Sequence, residues 1–588
     1  MYRKPLGIVV LVGFVTIACS SNSQSGAPRG GALPNGGASA AGGSPVASGG
    51  TGTPTAGATG GGAPTGGAAT GGGAATGGAP TGGATASGGS SAVGGAAGSG
   101  GKNSSGGSAA GGTMVAGGAR TGGTASGGAL SGGAAAAGAR AGGATGSTST
   151  NTSTSTAVLT STATTTVTAT STDTSTVADA IYVAPDGSDS NPGTLAQPLA
   201  SLPAAGAKAS AGSTIYLRGG TYKPTSTIAL ATSGTASAMI QVFNYPNEIP
   251  VLNFSLQPYD STQRGIMLTG NYWYIKGLEI CYAGDNGMKL EGSHNKIERC
   301  VFHHNGDAGL QMGFAHTTAN PTGDLCAYNE IINCDSYLNF DFDNMGSDAD
   351  GFACKMHPGK GNVFRGCRSW HNGDDGWDLF ETDWPVEITN CWTWHNGDRA
   401  DFEAIYTAKM GKKMSSFMGN GNGFKLGGNG TGGNSKGTHV VKNCVAFDSN
   451  FGSKKGFDQN SHQGGELVQN CTAWGNGYNF MFEDDPASGA TDQFDNNVEF
   501  NHKGAMAFEF SAAAVLNNNA WQLATPAAAS DFLSLAETLA LAPRQADGSL
   551  PVNDFARLTT TSALIDKGKD IGLPFSGAAP DLGAFECR

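Results

Sequence analysis

The fold of this chain follows from one segment of its sequence, Phe364-Arg-Gly-Cys-Arg-Ser-Trp-His-Asn-Gly-Asp-Asp-Gly-Trp-Asp378. The segment is one copy of an internal repeat. In each copy an apolar residue lies three places before a cysteine, and an asparagine follows at about the fifth place after it. The copies align on Cys300, Cys334, Cys367, Cys391, Cys444 and Cys471. Such self-similarity indicates a repeat architecture.

The repeat has a minimum length of 22–24 residues and consists of short apolar strands separated by Asn/Gly turns. This pattern predicts an all-β solenoid, a right-handed parallel β-helix. A leucine-rich repeat has a similar period, but its leucine ladder and helical half are missing, and a propeller blade needs a period of about 40 residues. We expect capping segments at both ends: a short helix over 204–211 near the start, and a closing tail from Asp531 to Glu586.

The aligned cysteines have two interpretations. An exported protein could oxidise them to disulfides. However, in-register strands are ~4.8 Å apart with parallel side chains, whereas bridged Cβ atoms lie ~3.8 Å apart. Stacked, buried thiols are therefore the favoured interpretation.

Composition divides the chain of 588 residues into a tether and a folded part. Residues 19–178 are rich in Gly, Ala, Thr and Ser, and such a segment cannot repay the entropy of ordering, so we predict a disordered tether. The chain has 33 Lys/Arg and 45 Asp/Glu, of which only six and one lie in residues 1–178. Residues 179–588, the predicted β-helix domain, therefore hold 27 bases and 44 acids, a formal balance of −17 that disfavours nucleic acid as a partner.

The N-terminus is typical of an export signal. Arg3 and Lys4 precede a short apolar run over 6–17, and Cys19 follows Thr-Ile-Ala in a pattern similar to a bacterial lipobox. We predict a lipoprotein-type signal peptide over 1–18 with lipid attached to Cys19, although a plain signal peptide remains an alternative. The protein would then be exported and would reach a membrane only through its lipid anchor, at the cell surface or outer membrane, or would be secreted.

The repeat register brings acidic residues together. Aligning the copies on Gly376 places Asp350 in the column of Asp375, one coil earlier, and Asp374 and Asp378 flank the same turn. Several hard oxygen ligands without histidine or cysteine favour Ca²⁺ over a transition metal. Aspartates in Asn-Gly-Asp turns can also serve turn geometry alone, an explanation that suits Asp378 least because a strand begins there.

Lys425 sharpens this prediction. The coil after Asp378 is interrupted after Asp398 and resumes as Asn422-Gly-Phe-Lys425, which places Lys425 in the column of Asp378. Such a lysine could form an ordinary ion pair with the carboxylate. A nearby calcium ion would instead depress its pKa and make it a usable base, as a β-elimination on a uronate requires.

These residues lie in motifs that resemble polysaccharide lyase family nine, the β-helical pectate lyases. The motifs are Asp350-Gly-Phe-Ala353, Met356-His-Pro-Gly-Lys-Gly-Asn362, Asn372-Gly-Asp-Asp-Gly-Trp-Asp378 and Asn422-Gly-Phe-Lys-Leu-Gly-Gly428. The resemblance implies a calcium-dependent pectate lyase that cleaves α-1,4-linked galacturonan. It also implies calcium bound by Asp350, Asp374, Asp375 and Asp378, and Lys425 as the base.

Two alternatives remain open: a galacturonan hydrolase of the polygalacturonase type on the same fold, and a non-catalytic β-helix that binds acidic glycans. The substrate-binding residues are not identified, and we expect a monomer. Four tryptophans could either present faces for sugar stacking or pack beneath the turns: Trp370, Trp377, Trp392 and Trp394. The candidates for contacts with uronate carboxylates are Lys355, Lys360, Arg399, Lys412 and Lys413. We interpret His303, His304, His371 and His395 as a stacked surface or turn feature.

Overall fold

The structure, a computed structural model, describes residues 179–314, 319–428, 437–449 and 454–587. The predicted signal peptide over 1–18, the lipidation site Cys19 and the predicted tether over 19–178 lie outside these residues. Within the described ranges, no helix is both long enough and apolar enough to cross a bilayer.

The described residues form a right-handed parallel β-helix of three sheets, and from β2 to β31 each coil contributes one strand to each sheet in the order sheet 1, sheet 2, sheet 3. Sheet 1 contains β1 Ile181–Val183, β2 Thr214–Leu217, β5 Ile240–Asn244, β8 Trp273–Lys276, β11 Lys296–Glu298, β14 Glu330–Ile332, β17 Asn362–Arg365, β20 Val386–Thr389, β23 His439–Lys442, β26 Glu466–Gln469, β29 Gln493–Asp495 and β32 Val515–Asn517. Sheet 2 contains β3 Gly220–Tyr222, β6 Pro250–Asn253, β9 Glu279–Cys281, β12 Val301–His303, β15 Asp335–Tyr337, β18 Arg368–Trp370, β21 Trp392–Trp394, β24 Val445–Phe447, β27 Thr472–Trp474 and β30 Val498–Phe500. Sheet 3 contains β4 Ile228–Leu230, β7 Ile266–Leu268, β10 Met288–Leu290, β13 Leu310–Met312, β16 Phe352–Cys354, β19 Trp377–Asp378, β22 Phe424–Lys425, β25 Lys455–Asp458, β28 Tyr478–Phe482 and β31 Phe508–Phe510. The predicted fold class is confirmed.

The helices are few and lie outside the coils. They are α1 Leu202–Lys208, α2 Arg399–Met410 and α3 Glu537–Ala540, with short 3-10 segments at Ala520–Gln522 and Ala529–Asp531. The predicted N-terminal helix is confirmed as α1, which Ser201 caps by accepting a hydrogen bond from Ala204 N. Leu202 and Ala205 of α1 are buried in the main core, so this helix covers the start of the β-helix.

The repeat register that the sequence predicts is the register of the sheets. Ile331, for example, pairs with Ile297 and Phe364 on the neighbouring coils, and all three are fully buried. The aligned cysteines are free buried thiols, as predicted. At the other end of the sheet 2 strands a ladder of buried side-chain amides joins the coils, in which Asn339 Nδ2 donates to Asn372 Oδ1 at 2.9 Å. A buried amide column of this kind satisfies the turn backbone and fixes the stacking of the coils.

The C-terminal tail differs from the predicted end cap. It packs along the outer face of sheet 2, where Phe555 contacts Trp392, Phe447 and Trp474. Trp521, from the segment just before the tail, instead packs against Phe508 at the end of the core. The row of large aromatic side chains on sheet 2 explains the difference, because it is an apolar surface that needs a cover.

Candidate functional site

The candidate site lies where the chain turns from sheet 2 into sheet 3. On three successive coils this turn leads into β16, β19 and β22. Ala353 of β16 pairs with Asp378 of β19, and Asp378 pairs with Lys425 of β22. The same register aligns Asp350 with Asp375, so the predicted columns are confirmed. Residues far apart in the sequence therefore meet within one or two strand spacings, ~5–10 Å.

The carboxylates are buried and held by backbone amides. Asp350 Oδ1 accepts from Asp375 N at 3.1 Å, and Asp375 Oδ1 accepts from Asn422 N at 2.8 Å. Asp374 accepts from Asp348 N at 2.8 Å and also from the amide of Asn420. These bonds fix one oxygen of Asp350, one oxygen of Asp375 and both oxygens of Asp374.

The fourth aspartate joins the group through two lysines. Lys425 Nζ lies 3.1 Å from Asp375 Oδ2 and 3.4 Å from Asp378 Oδ1. Lys355 Nζ lies 2.7 Å from Asp350 Oδ2 and 3.3 Å from Asp378 Oδ2. Asp378 thus lies between two ammonium groups, of which Lys425 is the more exposed.

The charges of this cluster are not balanced. Burial raises the pKa of Asp350 well above its usual range, raises the pKa of Asp374, and raises the pKa of Asp375 to about 8. Burial lowers the pKa of Lys425, but the carboxylates around it, Asp375 first, raise it more, so its pKa lies above the usual range. The raised pKa of Lys425 indicates that the negative charge around it outweighs the effect of its burial.

The donor set fits a hard divalent cation. One oxygen each from Asp350, Asp374 and Asp375 lie within 4.8 Å of one another. Asp375 Oδ2 is buried and accepts no hydrogen bond from any residue that the structure describes, although the Lys425 ammonium is close. Such an orphaned carboxylate oxygen in an all-oxygen group is what Ca²⁺ would use.

The insertion that interrupts the repeat after Asp398 contains a helix, α2. Asp398, the last residue of an Asn-Gly-Asp motif, caps α2 by accepting from Ala400 N, and Gly411 ends the helix in the left-handed conformation at φ 66°. Phe402 and Tyr406 of α2 pack against Phe340 in a separate aromatic cluster. The insertion then returns to the site, as expected, where the amide of Asn420 reaches Asp374.

The tryptophan candidates are wrong as sugar-stacking platforms. Trp377 is fully buried inside the β-helix and stacks on Phe424, while Trp392 and Trp394 are buried under the C-terminal tail. Trp370 stacks on Trp394 at 5.0 Å and packs against the same covered surface. These large aromatic side chains serve packing, Trp377 in the inner core of the β-helix and the other three between sheet 2 and the C-terminal tail.

The histidines stack along the turns, as interpreted. His371 and His395 have ring centroids 4.4 Å apart, and His303 stacks on Tyr337. His304, adjacent to this stack, contacts Tyr282.

The basic candidates differ in environment. Lys412 and Lys413 are exposed, Lys360 pairs with Asp324 at 2.8 Å, and Arg399 pairs with Glu403 at 2.6 Å. Lys355, proposed from the sequence as a contact for uronate, is instead buried in the aspartate cluster. A side chain so enclosed cannot present its charge to a polymer in solvent.

Asp458 is a site residue that the sequence analysis did not identify. It pairs in register with Lys425 from the opposite side to Asp378, and it is buried with Lys455 Nζ at 3.0 Å. The alignment of Gly456-Phe457 with Gly423-Phe424 carried the signal, since the next residue of each coil falls in one column.

The sequence of the chain is similar to a family model and to several known proteins. The family model for the Pel9A-like, right-handed beta helix region matches residues 181–501, which include the four aspartates and Lys425. Pectate lyase L of Dickeya chrysanthemi is 40% identical over 419 residues, which are 69% of this chain and 90% of that protein. Pectate lyase L of Paenibacillus polymyxa is 38% identical over 406 residues, 67% of this chain and 85% of that protein.

Two solved structures of polysaccharide lyases are similar to this chain in fold and sequence. The crystal structure of pectate lyase Pel9A matches with a TM-score of 0.59 and 38% identity, over 69% of this chain and 96% of that one. A rhamnogalacturonan lyase matches with a TM-score of 0.54 and 25% identity, over 65% of this chain and 97% of that one.

Proposed function

The chain belongs to the Pel9A-like right-handed β-helix family of pectate lyases, and from this membership we propose that it cleaves pectate by calcium-dependent β-elimination with Lys425 as the base. The substrate is polygalacturonate, a chain of α-1,4-linked galacturonate. The product carries a new carbon–carbon double bond at the cut end.

The aspartates of the cluster are the proposed calcium ligands. Asp350, Asp374, Asp375 and Asp378 would hold the calcium ion. When bound, Ca²⁺ would neutralise the carboxylates that keep Lys425 protonated and, by engaging a uronate carboxylate, would make the proton on the adjacent carbon acidic.

Lys425 is the proposed base of the elimination step. Neutral Nζ takes the proton from the carbon next to the uronate carboxylate. The electron pair left behind forms the double bond while the neighbouring bond to the glycosidic oxygen breaks. The departing oxygen takes up a proton from solvent.

One observation carries this proposal: Lys425 Nζ lies 3.1 Å from Asp375 Oδ2, at the edge of three carboxylates whose oxygens lie within 4.8 Å of one another. Its side chain is 11% exposed, against 0% for Asp375 and 4% for Asp378. A base at the mouth of the site with ligands behind it can reach a polymer that a buried carboxylate cannot.

The test is incubation of the purified protein with polygalacturonate, in calcium and in chelator. We expect ultraviolet absorbance from the unsaturated product in calcium and none in chelator. New reducing ends without that absorbance would favour the hydrolase alternative, and no cleavage would favour the glycan-binding alternative. A parallel incubation with rhamnogalacturonan tests the substrate that the second solved structure suggests.

We also propose the domain organisation and location predicted from the sequence: a signal peptide over 1–18, lipid on Cys19, a tether over 19–178 and a monomeric lyase domain over 179–588. The anchor would hold the enzyme at the bacterial surface or outer membrane. Metabolic labelling with a fatty acid tests this, since a Cys19→Ser variant should lose the label. Equal labelling of the variant and the wild-type protein would show that Cys19 is not the site of lipid attachment.

A further inference from the structure

A second lysine, Lys355, lies deeper in the cluster than Lys425. Its Nζ lies 2.7 Å from Asp350 Oδ2, 3.3 Å from Asp378 Oδ2 and 3.5 Å from the carbonyl oxygen of Asp348. An ammonium group has three N–H donors, so these three oxygens use all of them. Its side chain is 3% exposed, against 11% for Lys425.

The strand before Lys355 contributes no charged side chain to this column. Ala353 stands in the column that Asp378 and Lys425 occupy on the next two coils. The positive charge that Asp350 contacts therefore comes from Lys355, just after this strand.

The positive charge of Lys355 affects how strongly the cluster attracts a metal ion. The four aspartates carry four negative charges when ionised, the two ammonium groups return two positive charges, and the neighbouring Asp458–Lys455 pair adds one charge of each sign. The remaining formal charge of −2 is the charge that one divalent cation cancels. Without Lys355 the cluster would carry −3 and would attract cations more strongly.

We propose that Lys355 is a positioning residue that acts as the fixed internal cation of the site. It holds Asp350 and Asp378 together across two coils and limits the cluster to one divalent cation of moderated affinity. This leaves Lys425, the more exposed lysine, as the one that exchanges a proton with substrate. The inference rests on the proposed function, because it concerns the same calcium site.

Removing the Lys355 charge should change calcium affinity and turnover in opposite directions. Loss of the positive charge that lies 2.7 Å from Asp350 Oδ2 leaves the carboxylate cluster more negative, so calcium should bind more tightly. Loss of the contacts to Asp350 and Asp378 frees these carboxylates to move, so turnover should fall. A defect that only damaged the fold would weaken both properties.

The experiment is a calorimetric calcium titration of the full-length protein and its Lys355→Met variant, together with kcat on polygalacturonate. We expect calcium affinity to rise at least about tenfold in the variant while kcat falls at least about tenfold. Lys289→Met is the matched control, since Lys289 is another buried lysine on sheet 3, and its calcium affinity should stay within about twofold of wild type. Lys355→Gln, which keeps a donor near Asp350, repeats the test should the methionine variant fail to fold.

Unchanged or weaker calcium binding in the folded Lys355 variants would overturn this inference alone, provided that the wild-type protein binds calcium. No calcium binding by the wild-type protein would overturn the proposed cofactor and this inference together. An Asp375→Asn variant distinguishes these cases, because it should lose calcium binding whatever Lys355 does.

Discussion

Lys425 and Asp378 occupy paired positions on adjacent coils, and Lys425 Nζ lies 3.4 Å from Asp378 Oδ1. The whole α2 insertion separates them in the sequence. Asp378 also contacts Lys355 at 3.3 Å, so one carboxylate links an outer and an inner ammonium group. This link explains how an acidic β-helix can keep four aspartates in one place: two lysines offset part of the repulsion, and the remainder is available to a bound cation.

The first prediction concerns calcium as a stabilising ligand. A ligand that binds only the folded state at 100 times its Kd stabilises that state by about 2.7 kcal/mol. Calcium should therefore raise the unfolding temperature of the wild-type protein, and Asp375→Asn should lose most of that rise because it removes a central ligand. Thermal unfolding with calcium and with chelator measures both.

Asp485→Asn is the control for this prediction, since Asp485 is exposed on a loop. It should keep the full calcium-dependent rise. If Asp375→Asn kept it too, the cation would bind elsewhere.

The second prediction concerns pH and His371. Burial lowers its pKa, but hydrogen bonds to Asp401 at 2.6 Å and Glu537 at 3.4 Å outweigh this and raise the pKa to about 9. A folded-state pKa above the ordinary value of 6.5 gives stability that is fully present below pH 6.5 and lost as the pH rises through about 9. His371→Gln should therefore lower the free energy of unfolding by about 2 kcal/mol at about pH 6 and by much less at about pH 10.

Denaturant unfolding of both proteins at the two pH values, in chelator, checks this. An equal loss at both values would show that His371 contributes through packing alone.

The third prediction concerns the C-terminal tail. Arg544 joins the tail to the coils by an ion pair with Asp335 at 2.6 Å and by hydrogen bonds that it donates to the carbonyl oxygens of Cys334 and Gly366. Arg544→Ala should lower the free energy of unfolding by about 3 kcal/mol because it leaves Asp335 and these carbonyl groups with fewer partners. Limited proteolysis should then cut the tail faster.

Lys569→Ala is the matched change in the same tail. Lys569 lies 3.5 Å from Asp495 with a side chain that is 45% exposed, so its loss should leave stability and proteolysis close to wild type. Equal resistance to proteolysis in both variants would mean that Arg544 does not anchor the tail.

Much of this site could be predicted from the sequence because a β-helix converts repeat register into spatial neighbourhood. Alignment of the repeats on Gly376 and the apolar residue after it places Asp350 beside Asp375 and Lys425 beside Asp378, as the structure has them. The repeat register has a limit, however, because it predicts which backbone positions are neighbours and not where a long side chain ends. The Lys355 side chain returns from the end of its strand to Asp350, and no periodicity reports that reach.

The α2 insertion could have been found by other signals. Asp398 is a good N-cap residue and Gly411 a good terminator, and they bracket a run of helix-forming residues. Asp398 also completes an Asn-Gly-Asp motif of the repeat, which is typical of a tight turn. The same residue types favour tight turns and helix N-caps, so the motif alone does not distinguish the two. The position of the tail depended on the aromatic face of sheet 2, which a periodic pattern does not distinguish from a core face.

The most direct test of the central claim is the rate at which Lys425→Ala forms unsaturated product from polygalacturonate in saturating calcium. A positioned general base contributes about 10²- to 10⁴-fold, so kcat should fall by that factor while the calcium-dependent rise in unfolding temperature persists. Lys208→Ala, at an exposed position of α1, should keep wild-type turnover. Ultraviolet-absorbing product formed by Lys425→Ala at the wild-type rate would contradict the assignment of Lys425 as the base.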